Sequence, residues 1–233
     1  MLTYKNVGFN FGLEREHFVC SNYAEGYDWE QCDFALPPDK VARDNAGYLV
    51  EARGDFSKDP YTVVHNLKAR ELQIVHVLAL EQLRFAPFDK VKLPERLKLE
   101  AYKKFGLPPK DKLVANLYDN ALTDKQLEFQ YAGTHLSISK IEKISLGDQS
   151  TFRTVPFDHA PIIKWLDKYF DKEISEAGRL KGSYSIKMLE GGLGLEYRSI
   201  PSSVPMTYGI PGAKYERANM LEALILMKED LKL

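Results

Sequence analysis

The chain has little cysteine. Cys20 and Cys32 are the whole complement of its 233 residues, and they lie twelve apart with no CxxC pair. That spacing argues against a disulfide scaffold and offers no structural zinc site. Long apolar runs are also missing. The longest, around Ile74–Leu80, is interrupted by His76 and followed by Glu81, far short of the roughly 18–20 apolar residues that span a bilayer. Nor is there an excess of either charge, since 32 Lys+Arg face 33 Asp+Glu for a formal net charge of −1. Without a broad basic field to neutralise many phosphates, general nucleic-acid binding is not expected. The run Met1-Leu2-Thr3-Tyr4-Lys5-Asn6 lacks the charged-then-apolar layout of a signal peptide. A cytoplasmic chain without a membrane partner is the expectation.

What is present describes an ordinary globular protein: 44% hydrophobic, 12% aromatic and 28% charged residues. No Ser/Gly linker and no repeat of about 20–50 residues divides the chain, so residues 1–233 read as a single domain. The stretch Leu107-Pro108-Pro109-Lys110-Asp111 reads as a loop between elements. Asp59-Pro60 supplies an N-cap and first-turn proline for a helix to about Phe85, with Val64, Leu67, Val75 and Leu78 near helical spacing. Further helices are predicted from Pro161 to about Ile174, from Pro211 to Leu231, and over Pro94–Phe105, closed by Gly106. Strand character marks Phe9–Val19, Gly47–Arg53, Phe129–Ser139, Ser183–Met188 and Leu193–Ile200. Helices and strands in no βαβ rhythm predict an α+β fold with a mainly antiparallel sheet. Gly191-Gly192-Leu193-Gly194 reads as a hairpin turn, because no GK[ST] follows and no helix opens after it.

Side chains two apart on a strand share a face of the sheet. Four predicted strands place reactive groups at that spacing: Glu14 with Glu16, Glu51 with Arg53, Glu196 with Arg198, and His135 with Ser137 and Ser139, the last opposite Leu136 and Ile138. One such pair is what a solvated strand face carries, and a lone histidine is usually structural. If all four strands aligned their polar faces, one surface would hold four carboxylates, an imidazole and two guanidinium groups. Clustered carboxylates repel unless protonated or cation-bound. Hard divalent cations favour such oxygen ligands and keep places for water and phosphate, while arginine forks match phosphate or carboxylate oxygens. This set suits a metal–nucleotide site better than a hydrolase triad, for which no Gly-x-Ser-x-Gly elbow is present.

The same residues carry a family resemblance. Gly12-Leu13-Glu14-Arg15-Glu16-His17-Phe18 resembles the Gly-x-Glu-x-Glu opening strand of the glutamate–cysteine ligase branch of the glutamine-synthetase-like carboxylate–amine ligases. Asp44 to Arg53, followed by Asp59-Pro60, is similar to its second acidic strand and the helix after it. Gly133-Thr134-His135-Leu136-Ser137 resembles its Gly-x-His strand, and Gly194-Leu195-Glu196-Tyr197-Arg198-Ser199-Ile200-Pro201-Ser202 its late Glu-x-Arg strand. The motifs stand in family order over about residues 8–203, and the nearest pattern is the compact ligase family encoded by bacteriophages.

The resemblance implies a curved antiparallel sheet of glutamine-synthetase-like type with flanking helices. It implies ATP and Mg2+ (or Mn2+) as cofactors and amide formation through an acyl phosphate. Residue by residue, it implies Glu14, Glu16, Glu51, His135 and Glu196 as metal ligands. Arg198 would contact the transferring phosphate, and Arg53 phosphate or the substrate carboxylate. Glu16, Arg198 and Ser137 fall on the nucleotide side. The implied partners are small-molecule or peptide carboxylates and amines, in a host cytoplasm if the chain is phage-encoded, with a homo-oligomer left open. The chain departs from the pattern in its short length and in lacking a second glutamate after Glu51 at the spacing of glutamine synthetases. An inactive ligase-fold binding or accessory protein and a guanidino-type phosphotransferase are the competing expectations.

Overall fold

The computed structural model describes residues 2–21, 41–44, 49–87, 89–92, 115–120, 130–146, 148–189, 192–207 and 218–233. In chain order these form β1 (Leu2–Ser21), β2 (Val41–Asp44), β3 (Leu49–Arg53), α1 (Pro60–Leu80), β4 (Leu83–Phe85), β5 (Lys90–Val91), β6 (Ala115–Asn116), β7 (Gln130–Tyr131) and β8 (Gly133–Leu146). Then follow β9 (Gln149–Val155), α2 (Ala160–Tyr169), α3 (Asp171–Ala177), β10 (Ser183–Leu189), β11 (Gly192–Pro201) and α4 (Met220–Leu231). The α+β class with a mainly antiparallel sheet is what the sequence predicts. The open sheet runs β2-β3-β1-β8-β11-β10-β6, with β9 extending the far half of β8 and β4 pairing the end of β1; β5 and β7 form a separate ribbon. Its two long central strands pair from Leu2↔Leu146 to Arg15↔Thr134, broken once by a bulge between Asn6 and Gly8. Gly8 sits there at φ +96°, a conformation that a side chain would strain.

One face of the sheet is apolar. Phe11 and Leu13 of β1, Val50 and Ala52 of β3, Leu136 and Ile138 of β8, and Leu195 and Tyr197 of β11 pack in a single core with the four helices. Helix α1 contributes Val63, Val64, Leu67, Ile74 and Leu78, α2 Ile162, Ile163 and Leu166, and α4 Met220, Ala223, Leu224 and Met227. Gly54 lets α1 approach: a Cβ there would lie 3.0 Å from the Leu67 backbone nitrogen.

Several predicted boundaries move. Helix α1 starts as expected, with the Asp59 carboxylate accepting from the Thr62 N–H at 2.9 Å, but it ends at Leu80 rather than near Phe85. Gln82 turns left-handed at φ +59°, and Leu83–Phe85 pair with Val19–Ser21 as β4. Val75, predicted on the apolar stripe, is 44% exposed, and Ile74 takes the core position. The helix predicted from Pro161 to Ile174 is two helices. The chain kinks at Phe170 (φ −97°, ψ 20°), which puts that ring fully into the core, and α3 closes on left-handed Gly178. Strand β9 was not predicted. The predicted helix Pro94–Phe105, the Leu107–Asp111 loop and the start of the last helix at Pro211 lie outside the described residues. The hairpin reading of the glycine run agrees with the pairing of Leu189 with Gly192, although Gly191 itself lies outside them. Among the described residues no helix is long and apolar enough to cross a membrane.

Candidate functional site

The sheet's other face gathers the alternate positions that the core leaves over. Register places them as neighbours: Arg53, Glu14 and His135 stand side by side across β3, β1 and β8, and Glu16 stands beside Glu51. One row on, Gly12 pairs with Ser137, Ser137 with Glu196, and Glu196 with Ser185. With strands about 4.8 Å apart, five strands far apart in sequence deliver their polar groups to one pocket. All eight sequence-predicted site residues lie on this face.

Burial makes the cluster unusual. Glu16, Glu51, His135, Ser137, Ser139 and Glu196 are each at most 4% exposed, and charges removed from water need partners. Glu51 Oε2 accepts from Arg53 Nη2 at 2.6 Å and from Arg53 Nε at 3.1 Å. Glu16 accepts the Gly133 N–H at 2.7 Å and lies 3.7 Å from His135 Nε2. The other imidazole nitrogen, Nδ1, is 4.0 Å from Glu14. Glu14, Glu51 and His135 each offer a ligand atom within 4.8 Å of the others. Glu196 pairs with Arg198 and Lys187 and accepts from the Ser185 hydroxyl at 3.2 Å.

Two glycines make room here. A Cβ on Gly12, the residue paired with Ser137, would lie 2.8 Å from the Phe56 ring. A Cβ on Gly133 would lie 2.7 Å from the Arg179 guanidinium and 3.0 Å from His135 Nε2. Arg179 is held by the carbonyls of Ser199, Ala132 and Arg198. Burial pulls its pKa down, and the nearby Glu16 carboxylate opposes that shift. The Gly-x-His pattern thus has a steric cause.

The donor set fits a divalent cation. It offers carboxylates and one imidazole, and beside them the Ser137 and Ser139 hydroxyls are buried without a hydrogen-bond partner among the described residues. Orphaned buried hydroxyls are uncommon because each costs free energy. Oxygen-rich ligands with one imidazole suit Mg2+ or Mn2+.

Three contributors lack a sequence-level assignment. Ser185 and Lys187 alternate in phase on β10, but a Ser-x-Lys pair looks like any solvated strand. Arg179 follows a helix end, and its role arises only from the fold. The remaining histidines and the described cysteine act elsewhere. His65 and His76 lie on the exposed side of α1. His17 stacks on Phe85 at 3.9 Å and meets Glu71 at 2.8 Å. His159 stacks on Phe157. Burial pushes the Cys20 thiol pKa up, as suits a structural residue. A separate cavity of about 380 Å3 between Phe157, Ile163, Tyr184 and Leu193 opens on the helix side of β10 and β11. Its lining is mainly apolar, whereas the reactive groups all face the other way.

No known protein-family model matches the chain, and no curated protein is detectably similar to it in sequence.

Proposed function

We propose that the chain is an ATP- and Mg2+-dependent carboxylate–amine ligase on a glutamine-synthetase-like sheet, making an amide through an acyl phosphate. The observation that carries the reading is the convergence of Glu14, Glu16, Glu51, His135 and Glu196 with Arg53 and Arg198 on one buried sheet face. Glu14, Glu51 and His135 would hold the cation, with Glu16 and Glu196 flanking them. When bound, the cation would neutralise triphosphate and carboxylate charge during phosphoryl transfer.

The protein's own share is positioning and electrostatics. The Arg198 side chain is 20% exposed and that of Arg53 47%. Both guanidinium groups can therefore turn from their glutamates towards an incoming phosphate or carboxylate. Glu16 holds His135 from the side away from Glu14, with its own carboxylate fixed by the Gly133 N–H. Ser137 offers a hydroxyl with no competing partner among the described residues. No protein nucleophile is required, which accords with a buried, unactivated Cys20. The acid and amine would be small molecules or peptides, and a phage-encoded protein working in host cytoplasm accords with this reading.

The test is product analysis with a panel of amino acids and short peptides. ADP and phosphate should appear only when acid and amine are both present, together with an amide, and Glu196→Gln should abolish turnover while the protein stays folded. A phosphorylated product without an amide would indicate a guanidino-type phosphotransferase. Absence of saturable Mg-ATP binding would indicate a ligase-fold binding or accessory protein.

A further inference from the structure

Strand β10 carries one charged group into the pocket that the ligase reading leaves without a task. Lys187 alternates with Ser185 on the polar face, and its ammonium reaches across two strands. Nζ lies 3.3 Å from Glu14 Oε2 and pairs with Glu196 Oε2. Glu196 is wholly buried, and its other oxygen already meets Arg198 and Ser185. Glu14 therefore stands between two positions that favour a cation. On one side it joins Glu51 and His135; on the other it joins Glu196, and there an ammonium is already seated.

An ammonium is a compact point charge with three donors, and between two carboxylates it occupies the place a metal ion would take. A second positive ion in that place would meet it at contact distance, where like charges in a partly desolvated pocket repel strongly. The charge balance agrees. Among the described residues the four glutamates face Lys187, Arg53, Arg198 and Arg179. Arg53 and Arg198 each reach a glutamate on their own strand, and Arg179 is held by backbone carbonyls. Lys187 bridges carboxylates from two different strands, Glu14 of β1 and Glu196 of β11.

We propose that Lys187 is a built-in counter-ion filling the position between Glu14 and Glu196, so that the pocket takes one divalent cation, on the side of Glu51 and His135. This rests on reading Glu14, Glu51 and His135 as the cation site. It follows that Glu196 keeps its charge partner whether or not the divalent ion is bound. Removing the lysine charge should open a second cation position.

The experiment counts Mn2+ bound to the full chain, from the electron paramagnetic resonance signal of the free ion. It compares wild type with Lys187→Gln and Lys187→Arg, their folding checked by near-ultraviolet circular dichroism. One ion per chain is expected for wild type and Lys187→Arg, and two for Lys187→Gln. More than one ion in wild type, or one in Lys187→Gln, overturns the counter-ion role and leaves the cation site standing. No Mn2+ on any of the three overturns the cation reading itself, and the counter-ion proposal with it. If Lys187→Gln does not fold, the other two decide: one ion on each supports the proposal, and a second ion on either overturns it.

Discussion

Replacing Gly133 with alanine asks whether the pocket's geometry is held as tightly as its hydrogen bonds indicate. The added Cβ would sit 2.7 Å from Arg179 Nη2 and 3.0 Å from His135 Nε2, inside the closest approach that real side chains show. A free arginine tip would swing away at little cost. Arg179 cannot, because Nε, Nη1 and Nη2 donate to three different carbonyls at 3.1, 3.1 and 2.6 Å. His135 is 2% exposed and equally confined. Relief must come from weakening at least one charged hydrogen bond or from shifting β8. Overpacking of this kind costs about 1–3 kcal/mol, and a charged hydrogen bond falls in the same range. Taking about 2 kcal/mol and an m-value of about 2.5 kcal/mol per M, the urea midpoint should drop by roughly 0.8 M. The assay is equilibrium urea unfolding followed by tryptophan fluorescence and circular dichroism. An unchanged midpoint would refute the tight packing of Arg179 against β8 and with it the steric account of the Gly-x-His strand.

Ser137→Ala should leave the ligand-free protein as stable as wild type, or raise its stability by up to about 1–2 kcal/mol, because the hydroxyl is buried without a partner among the described residues. Thermal melts would measure this, and the same variant should gain less stability from Mg-ATP than wild type does. Tyr197→Phe should cost about 1–3 kcal/mol in urea unfolding. Its hydroxyl donates to Asp167 at 2.6 Å, beside Tyr118, whose pKa burial and Asp167 push up to about 12. Acidification should weaken the protein at the far end of β1. Burial holds the His17 pKa below its usual 6.5 despite Glu71, so the unfolded chain binds the proton first and stability falls as pH drops from about 6.5 towards the folded value. Burial would raise the pKa of Glu71 itself, but His17 and Arg15 outweigh it and hold it below 4.5. That contribution is present above about pH 4.5 and is lost as pH falls through the lower folded value. Urea midpoints of wild type and His17→Gln across this range should differ in slope, and parallel curves would contradict the assignment.

The period-two strands make the polar face legible, because Phe11 and Leu13 on β1, Val50 and Ala52 on β3, Leu136 and Ile138 on β8 and Leu195 and Tyr197 on β11 take the core side and leave the charged phase the other. Glu14, Glu16, Glu51, His135 and Glu196 stand out on that pattern. What alternation cannot give is the order of strands, and so it could not say that Glu14 faces His135 or that Ser137 faces Glu196. Lys187 carries no sequence signal, because its meaning lies in Glu14, 173 residues away along the chain. Arg15 is a similar case. It sits in the apolar phase, and its partner Glu71 lies 56 residues on, in α1. The helix ends were misplaced where tertiary contacts outweigh periodicity. Phe85 continues a helical stripe on paper but is drawn into pairing with Val19, and Phe170 is turned into the core, splitting one helix into two. Strand β9 is rich in serine and threonine and largely exposed, so it carries no alternation to read.

Titration calorimetry with Mg-ATP on wild type and Glu14→Gln bears most directly on whether the acidic face binds a nucleotide. Glu14 is the most exposed of the four glutamates, so its amide should leave the fold intact while removing a ligand shared by the imidazole and the lysine. Saturable binding to wild type near one nucleotide per chain, lost or greatly weakened in a folded Glu14→Gln, is the expected result. Equal binding by both proteins, or none by wild type, would contradict it.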